Sequence, residues 1–321
     1  MGEHTSTPSL PEAFTERLHE IAGEVGCQHV LSSIRDPRPL SVRVQGDEQV
    51  RDVVHAELDA GGFAPEVVPW YQWAFRLHGG DRSSVQETEA FANGYLWIQS
   101  LSSMAAVLGL SIEPGHDVLD LCAAPGSKTT LISQLQQGSG ILVANDRSRQ
   151  RLFKLRAHLR QLGVSNAEVT CHPGAIFGSS HVDCFDRVLV DAPCSGEGML
   201  HASDPQSIAR WSEGRIRRLA RQQAGLLSAA LRTLRIGGCC MYSTCTYAPE
   251  ENEVVVDRVL RKHGDRFVLQ VLPESVPAGS PGLARWGERE FDSTLQHSLR
   301  LLPGKGSGLT GFYLALIRRV G

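Results

Sequence analysis

Cys194 and Cys245 each follow a short apolar run, Arg187 to Val190 and Cys240 to Tyr242. They sit in the segments Asp191-Ala192-Pro193-Cys194-Ser195-Gly196-Glu197-Gly198-Met199 and Ser243-Thr244-Cys245-Thr246. A thiolate is a strong nucleophile, and turns shaped by Pro and Gly beyond the end of a sheet expose it to a substrate. If the two runs are neighbouring parallel strands, their ends lie one or two spacings of ~4.8 Å apart, and both thiols face one small molecule. Free cysteines are more commonly small buried hydrophobes, a role that suits Cys27, Cys171, Cys184, Cys239 and Cys240. A redox pair is the other alternative for Cys194 and Cys245, disfavoured in a reducing compartment.

A second constellation follows the run Val118 to Leu121. Cys122-Ala123-Ala124-Pro125-Gly126-Ser127-Lys128-Thr129 turns the chain sharply with small residues, a Pro and a Gly before a helix begins. Backbone N–H groups at that helix start favour an anion. The phosphate-binding pattern G-x-x-x-x-G-K-[ST] fails because Ser127 precedes Lys128, and G-x-G-x-x-G is absent. Asp146, after the run Ile141 to Asn145, stands where a carboxylate accepts both hydroxyls of a ribose; capping the next helix is its alternative role. A nucleoside with an anionic group but no phosphates satisfies both features. S-adenosyl-L-methionine is such a molecule, its carboxylate at the loop and its ribose at Asp146.

Strands and helices must place these groups at one edge. From Asp117 onward, apolar runs alternate with amphipathic helices: strands Val118 to Leu121, Ile141 to Ala144, Val169 to Cys171, Arg187 to Val190 and Cys240 to Tyr242, then Phe267 to Val271 and Phe312 to Ile317. Helices are expected after Gly126, over Arg147 to Leu162, up to Leu234 and over Glu251 to Arg261. This is an α/β pattern with a mostly parallel sheet covered on both faces, which binds ligands beyond the carboxyl ends of its strands. Residues 1–108 read as a smaller α/β module: helix Pro11 to Val25, strand Leu40 to Val44, helix Val50 to Ala60, then loops containing Gly and Trp. Residues 109–321 form the catalytic domain.

The chain of 321 residues is 41% apolar and 21% charged, enough for two globular domains. A net charge of −3 leaves any nucleic-acid surface to local patches. The clearest patch is Arg210-Trp211 with Arg215, Arg217, Arg218, Arg221, Arg232 and Arg235. It is expected to contact RNA phosphates and stack a base, or to be a solvated helix face. The first residues, MGEHTSTPSLPEAF, lack a basic start followed by an apolar run, and no stretch approaches a membrane span. The expectation is a soluble, cytoplasmic monomer without membrane contact. Eight cysteines without CxxC spacing argue against a bound metal and against a disulfide framework.

CAAPGSKTT, DAPCSGEGM and YSTCTYAPEENE resemble the signature motifs of the Sun-type (Fmu/NOP/Sun) RNA cytosine-5 methyltransferase family, over most of residues 85 to 260. Gly94-Tyr95-Leu96-Trp97-Ile98-Gln99 with Ser102-Ser103-Met104 resembles the family's approach to the catalytic domain. The resemblance implies a Rossmann-like class I methyltransferase sheet and S-adenosylmethionine as methyl donor. It also implies an RNA substrate, ribosomal RNA ahead of transfer RNA. By the same resemblance Cys245 is the nucleophile and Cys194 assists product release. Asp191 is expected to meet the N3 edge of the base, or to organise the Pro193 turn. Cys122 to Lys128, Asp146 and Asp191 are expected around the cofactor. Two departures stand out: Thr170-Cys171-His172-Pro173-Gly174 lacks the acidic residue the family usually carries after the third strand, and the sequence ends soon after Phe312 to Ile317. Substrate choice is therefore expected to rest on the amino-terminal module and the catalytic surface. Two alternatives remain at this point, a DNA-type enzyme with Cys194 as nucleophile and a non-catalytic RNA-binding or ribosome-assembly scaffold.

Overall fold

The computed structural model describes residues 10–36, 40–304 and 307–321. Most of the amino-terminal stretch read above for a leader lies outside the described residues. In chain order the first elements are α1 (Glu12–Arg35), β1 (Leu40–Val44), α2 (Glu48–Ala60), β2 (Pro65–Val68), β3 (Tyr71–Leu77), α3 (Arg82–Gln86), α4 (Glu89–Ala92), β4 (Leu96–Ile98) and α5 (Leu101–Leu108). Next come β5 (Val118–Asp120), α6 (Ser127–Gln136), β6 (Leu142–Asn145), α7 (Arg149–Gln161), β7 (Ala167–Thr170), α8 (Phe177–Ser180), β8 (Phe185–Asp191), α9 (Pro205–Ala209), α10 (Glu213–Thr233), β9 (Leu234–Thr244) and α11 (Glu253–His263). The chain ends with β10 (Phe267–Gln270), the short β11 (Ser280–Pro281), β12 (Arg285–Trp286) and β13 (Arg289–Glu290), then β14 (Leu299–Leu301) and β15 (Phe312–Arg319).

The large sheet runs β11-β14-β15-β9-β8-β5-β6-β7, with β10 pairing β15. The consecutive strands β7, β6, β5, β8 and β9 are all parallel, while β15 enters antiparallel beside β9. The order reverses at β5, with β6 on one side and β8 on the other, so a crevice opens at the carboxyl ends there. Buried apolar strands carry the core. Val188, Val190, Cys240 and Tyr242 pack under α10 and α11, while Leu142, Leu189 and Met241 pack under α5 and α6.

The region after Ala60, expected as loops, instead builds β2, β3 and β4 into a four-stranded antiparallel sheet with β1. Tyr71–Leu77 alternates poorly because Ala74 and Phe75 are both buried, which hid the strand from a period-two test. The first helix also outruns its expected end at Val25: it passes Gly23, which has non-helical angles, and continues to Arg35. Its second half is amphipathic, and Cys27, Val30 and Ile34 bury against Leu200, Ile208 and Tyr247 of the catalytic loops. No helix among the described residues is long and apolar enough to cross a membrane.

Candidate active site

β8 and β9 are direct neighbours, and Asp191 lies opposite Ser243 in their register. The loops leaving these strands therefore start together, and they bring Cys194 Sγ to 3.1 Å from Cys245 Sγ. The Cys245 N–H also donates to Cys194 Sγ at 3.3 Å. Two thiols in contact need a frame, and the residues after Cys245 supply much of it. Glu251 accepts from the Ser195 N–H at 3.0 Å, from the Ser195 hydroxyl and from Gln223 at 2.8 Å. Gln223 on α10 also donates to the Pro193 carbonyl at 2.9 Å. Asn252 accepts from Thr244 at 2.5 Å and donates to the Thr246 carbonyl at 3.0 Å. Glu197, buried, receives the Trp211 indole, the Thr246 hydroxyl and the Tyr247 N–H.

The two loops also touch through backbone. The Gly198 N–H donates to the Cys245 carbonyl at 2.9 Å, and a Cβ at Gly198 would stand 2.1 Å from the Gly311 carbonyl oxygen. Only glycine fits there, which accounts for the second glycine of Ser195-Gly196-Glu197-Gly198.

Cys194 is held well above the ordinary thiol range by its hydrogen bond to Cys245, by burial and by the charges of Cys245 and Glu251. Burial likewise raises the inward-facing thiols of Cys122 and Cys240, leaving them inert.

Lys128 Nζ lies 2.7 Å from Asp191 Oδ2, and Ser243 donates to Asp191 Oδ1 at 3.0 Å. Lys128 comes from the first turn of α6, so the loop after β5 and the loop after β8 meet at this ion pair. Gly126 caps that helix with φ 117, and a Cβ there would meet Leu155 Cδ1 at 2.7 Å. No side chain caps the first turn of α6, so its N–H groups face the crevice. Ala123 and Ala124 pack on α7, which Arg151 braces through the Ala124 carbonyl and His158 through the Pro125 carbonyl. Trp97 of β4 reaches the Ser127 hydroxyl at 3.4 Å, linking the amino-terminal sheet to this loop.

Asp146 is buried at the end of β6. Its Oδ1 accepts the Ser148 N–H at 2.8 Å, and its Oδ2 lies 2.9 Å from Arg151 without an aligned hydrogen bond. The helix cap at this point is Ser148, whose hydroxyl accepts the Arg151 N–H, so capping does not account for Asp146.

Asp120 was not singled out by the sequence reading. It is buried at the end of β5, accepts the Thr129 hydroxyl at 2.8 Å and leaves Oδ1 without a partner. A lone acid ending an apolar strand was the available signal. Where the family's usual acidic residue is lacking after the third strand, His172 is tied by its backbone to Asn145, which accepts its N–H and donates to its carbonyl at 3.0 and 3.1 Å.

Burial pushes Asp120 up to about 7 from 3.8, and Glu251 up to about 7 from 4.5. Both acids keep a proton in the folded chain at pH values where the unfolded chain has lost it. Their contribution to stability is full below the unfolded values and disappears as pH rises through about 7. The double variant Asp120→Asn, Glu251→Gln should therefore gain melting temperature relative to wild type between pH 5 and pH 8. A difference that stays constant across that range contradicts the assignment.

The basic stripe is only partly as expected. Trp211 is no free stacking platform: it packs edge-on against Phe14 and donates to Glu197. Arg217 pairs with Glu213, and Arg235 pairs with Asp117 and Asp186 at the opposite end of the sheet. Nor are all the remaining cysteines buried, since Cys171, Cys184 and Cys239 are partly accessible.

A mostly parallel sheet with a crevice at its reversal point, a glycine-capped loop and a buried acid on the next strand define a Rossmann-like class I methyltransferase. Residues 107–318 match the model of the 16S rRNA methyltransferase RsmB/F family, and the chain belongs to that family. It is 36% identical over 278 residues to "Ribosomal RNA small subunit methyltransferase F" of Aeromonas salmonicida, covering 84% of this chain and 57% of that protein. It is 32% identical over 288 residues to the human "28S rRNA (cytosine(4447)-C(5))-methyltransferase", covering 88% of this chain and 34% of that one. The chain thus spans little more than half the length of the bacterial relative. A methyltransferase homologue from Pyrococcus horikoshii superposes with a TM-score of 0.83 at 31% identity, over 96% of this chain and 95% of the other.

Proposed function

We propose that this chain is an S-adenosylmethionine-dependent RNA cytosine-5 methyltransferase acting on ribosomal RNA, with Cys245 as nucleophile. The observation that carries this reading is the contact of Cys194 and Cys245 at 3.1 Å beside the Lys128–Asp191 pair. The relatives' names supply the ribosomal RNA.

The crevice suits the cofactor. The uncapped first turn of α6 offers N–H groups to a carboxylate, Asp146 Oδ2 has no aligned donor, and Asp120 Oδ1 is an orphaned buried acceptor. Cys122 to Lys128 and Asp146 would hold the molecule, whose sulfonium supplies the methyl group.

Carbon 5 of cytosine is too weak a nucleophile to take a methyl group unaided. The Cys245 thiolate adds to carbon 6, and the electron pair moves to carbon 5. Asp191, held by Lys128 and Ser243, hydrogen-bonds N3 through a proton taken up from solvent and shared between them, and that proton offsets the negative charge gathering on the ring. Once carbon 5 carries its methyl group, its proton must leave and the Cys245–carbon 6 bond must break. Cys194, 3.1 Å from Cys245, assists this release: it passes its own proton to solvent and takes the carbon 5 proton as Cys245 departs as thiolate. The ring face must be open to Cys245, so the target cytosine leaves its stack. The raised Cys194 thiol disfavours the DNA-type assignment, in which Cys194 would attack.

The test is transfer of labelled methyl from S-adenosylmethionine into unmodified small- and large-subunit ribosomal RNA, followed by nucleoside analysis. Label in 5-methylcytidine is expected. Label in another nucleoside, or in none with every ribosomal RNA offered, overturns the reading.

A further inference from the structure

Away from the catalytic crevice, a cavity of about 680 Å³ lies between α8, α10 and α11. Its cationic side chains are Arg221 and Arg232 of α10 and Arg258 and Lys262 of α11, and no carboxylate lines it. All four are exposed, and among the described residues none has an ion pair or a side-chain hydrogen bond. That sets them apart from their neighbours, since Arg217, Arg235 and Arg261 are each neutralised by an acid. In a chain of net charge −3, four unpaired cations around one concavity make a local positive field.

Spacing along the helices explains how they converge. Arg221 and Arg232 are eleven residues apart, close to three turns, so they share a face and stand about 16 Å apart along the axis. Between them Gly225 and Ser228 keep that face low. Arg258 and Lys262, four apart, line the facing side of α11. Gly178 of α8 closes the groove by close approach, with its built Cβ 2.8 Å from Ala229 Cα. At the groove's base Ser228 contacts His263 at 2.8 Å, and burial together with Arg266, Lys262 and Arg232 holds that imidazole below its ordinary 6.5.

We propose that this groove binds the phosphate backbone of a single-stranded stretch of ribosomal RNA flanking the target. This rests on the RNA-modifying reading of the crevice. A row of unpaired cations over a low floor suits a flexible polyanion, which neutralises them with release of its counterions. α10 couples groove and crevice, because Gln223, two residues from Arg221, holds both Pro193 and Glu251 behind Cys194.

The experiment compares wild type with the variant R221Q/R232Q/R258Q/K262Q, and with a control, K154Q/R156Q/R160Q/R318Q, that removes four exposed cations elsewhere. RNA affinity is measured against salt with unmodified ribosomal RNA, alongside methylation kinetics. The groove variant should bind at least about tenfold more weakly, with its slope of log affinity against log salt shallower by about 3. KM for RNA should rise while kcat at saturating RNA and binding of S-adenosylmethionine stay unchanged. A groove variant that keeps wild-type affinity and slope, or a control that loses as much, overturns the proposal. Absence of methylation by wild type would count against the proposed activity alone, because the binding measurement reads the groove independently.

Discussion

Cys245→Ala should lower methyl transfer to RNA by at least about 10⁴-fold while leaving the fold and S-adenosylmethionine binding intact. The expectation follows from the division of labour between the thiols. The contact with Cys245 and burial raise the Cys194 thiol well above its ordinary range, which leaves Cys245 as the proposed nucleophile of the pair. Removing Cys245 removes the proposed nucleophile, and Thr246 and Ser195, tied to Glu197 and Glu251, do not replace it. Single-turnover transfer from labelled S-adenosylmethionine checks this. Residual transfer within tenfold of wild type would contradict a Cys245 nucleophile.

Asp191→Asn should cost about 10² to 10³-fold in the single-turnover rate, with a smaller effect on KM for RNA. Asn keeps the acceptor for Ser243 but loses the charge that pairs with Lys128. Lys128 then no longer has a fixed partner at the meeting of the two loops, and N3 loses the proton it shares with Asp191 as Cys245 adds. A purely turn-forming role for Asp191 predicts instead a loss of stability with little change in rate. Melting curves recorded beside the kinetics separate the two, since rate loss without a fall in melting temperature is the outcome expected of a group facing the base.

The parts of the site visible in the sequence are those whose residue types announce a backbone shape or a reactive atom. The loop Cys122 to Lys128 shows its turn through Pro125 and Gly126, and Cys194 and Cys245 stand out because they follow strand-like runs. The adjacency of those runs could be expected from connection rules, and the register of Asp191 with Ser243 delivers it. What stayed hidden depends on three-dimensional partners. Nothing in the sequence marks Glu197 and Glu251 as the buried braces of the cysteine loops that they are. Trp211 and Arg235 looked like part of one RNA-facing stripe, but Trp211, in the link between α9 and α10, packs on Phe14 and Glu197, and Arg235, at the start of β9, meets acids at the other end of the sheet. Arg258 and Lys262 lay outside that stripe in sequence and join it only through packing of α11 on α10. The strands after Ala60 were masked by consecutive buried residues, as at Ala74-Phe75.

The most direct test of the covalent assignment is to incubate wild type, Cys194→Ala and Cys245→Ala with ribosomal RNA and S-adenosylmethionine and to separate the products on denaturing gels. The account predicts a nuclease-sensitive protein–RNA adduct that accumulates with Cys194→Ala, because Cys245 still attacks but the carbon 5 proton has no acceptor, and none with Cys245→Ala. An adduct that forms with Cys245→Ala and is lost with Cys194→Ala would contradict it, making Cys194 the nucleophile.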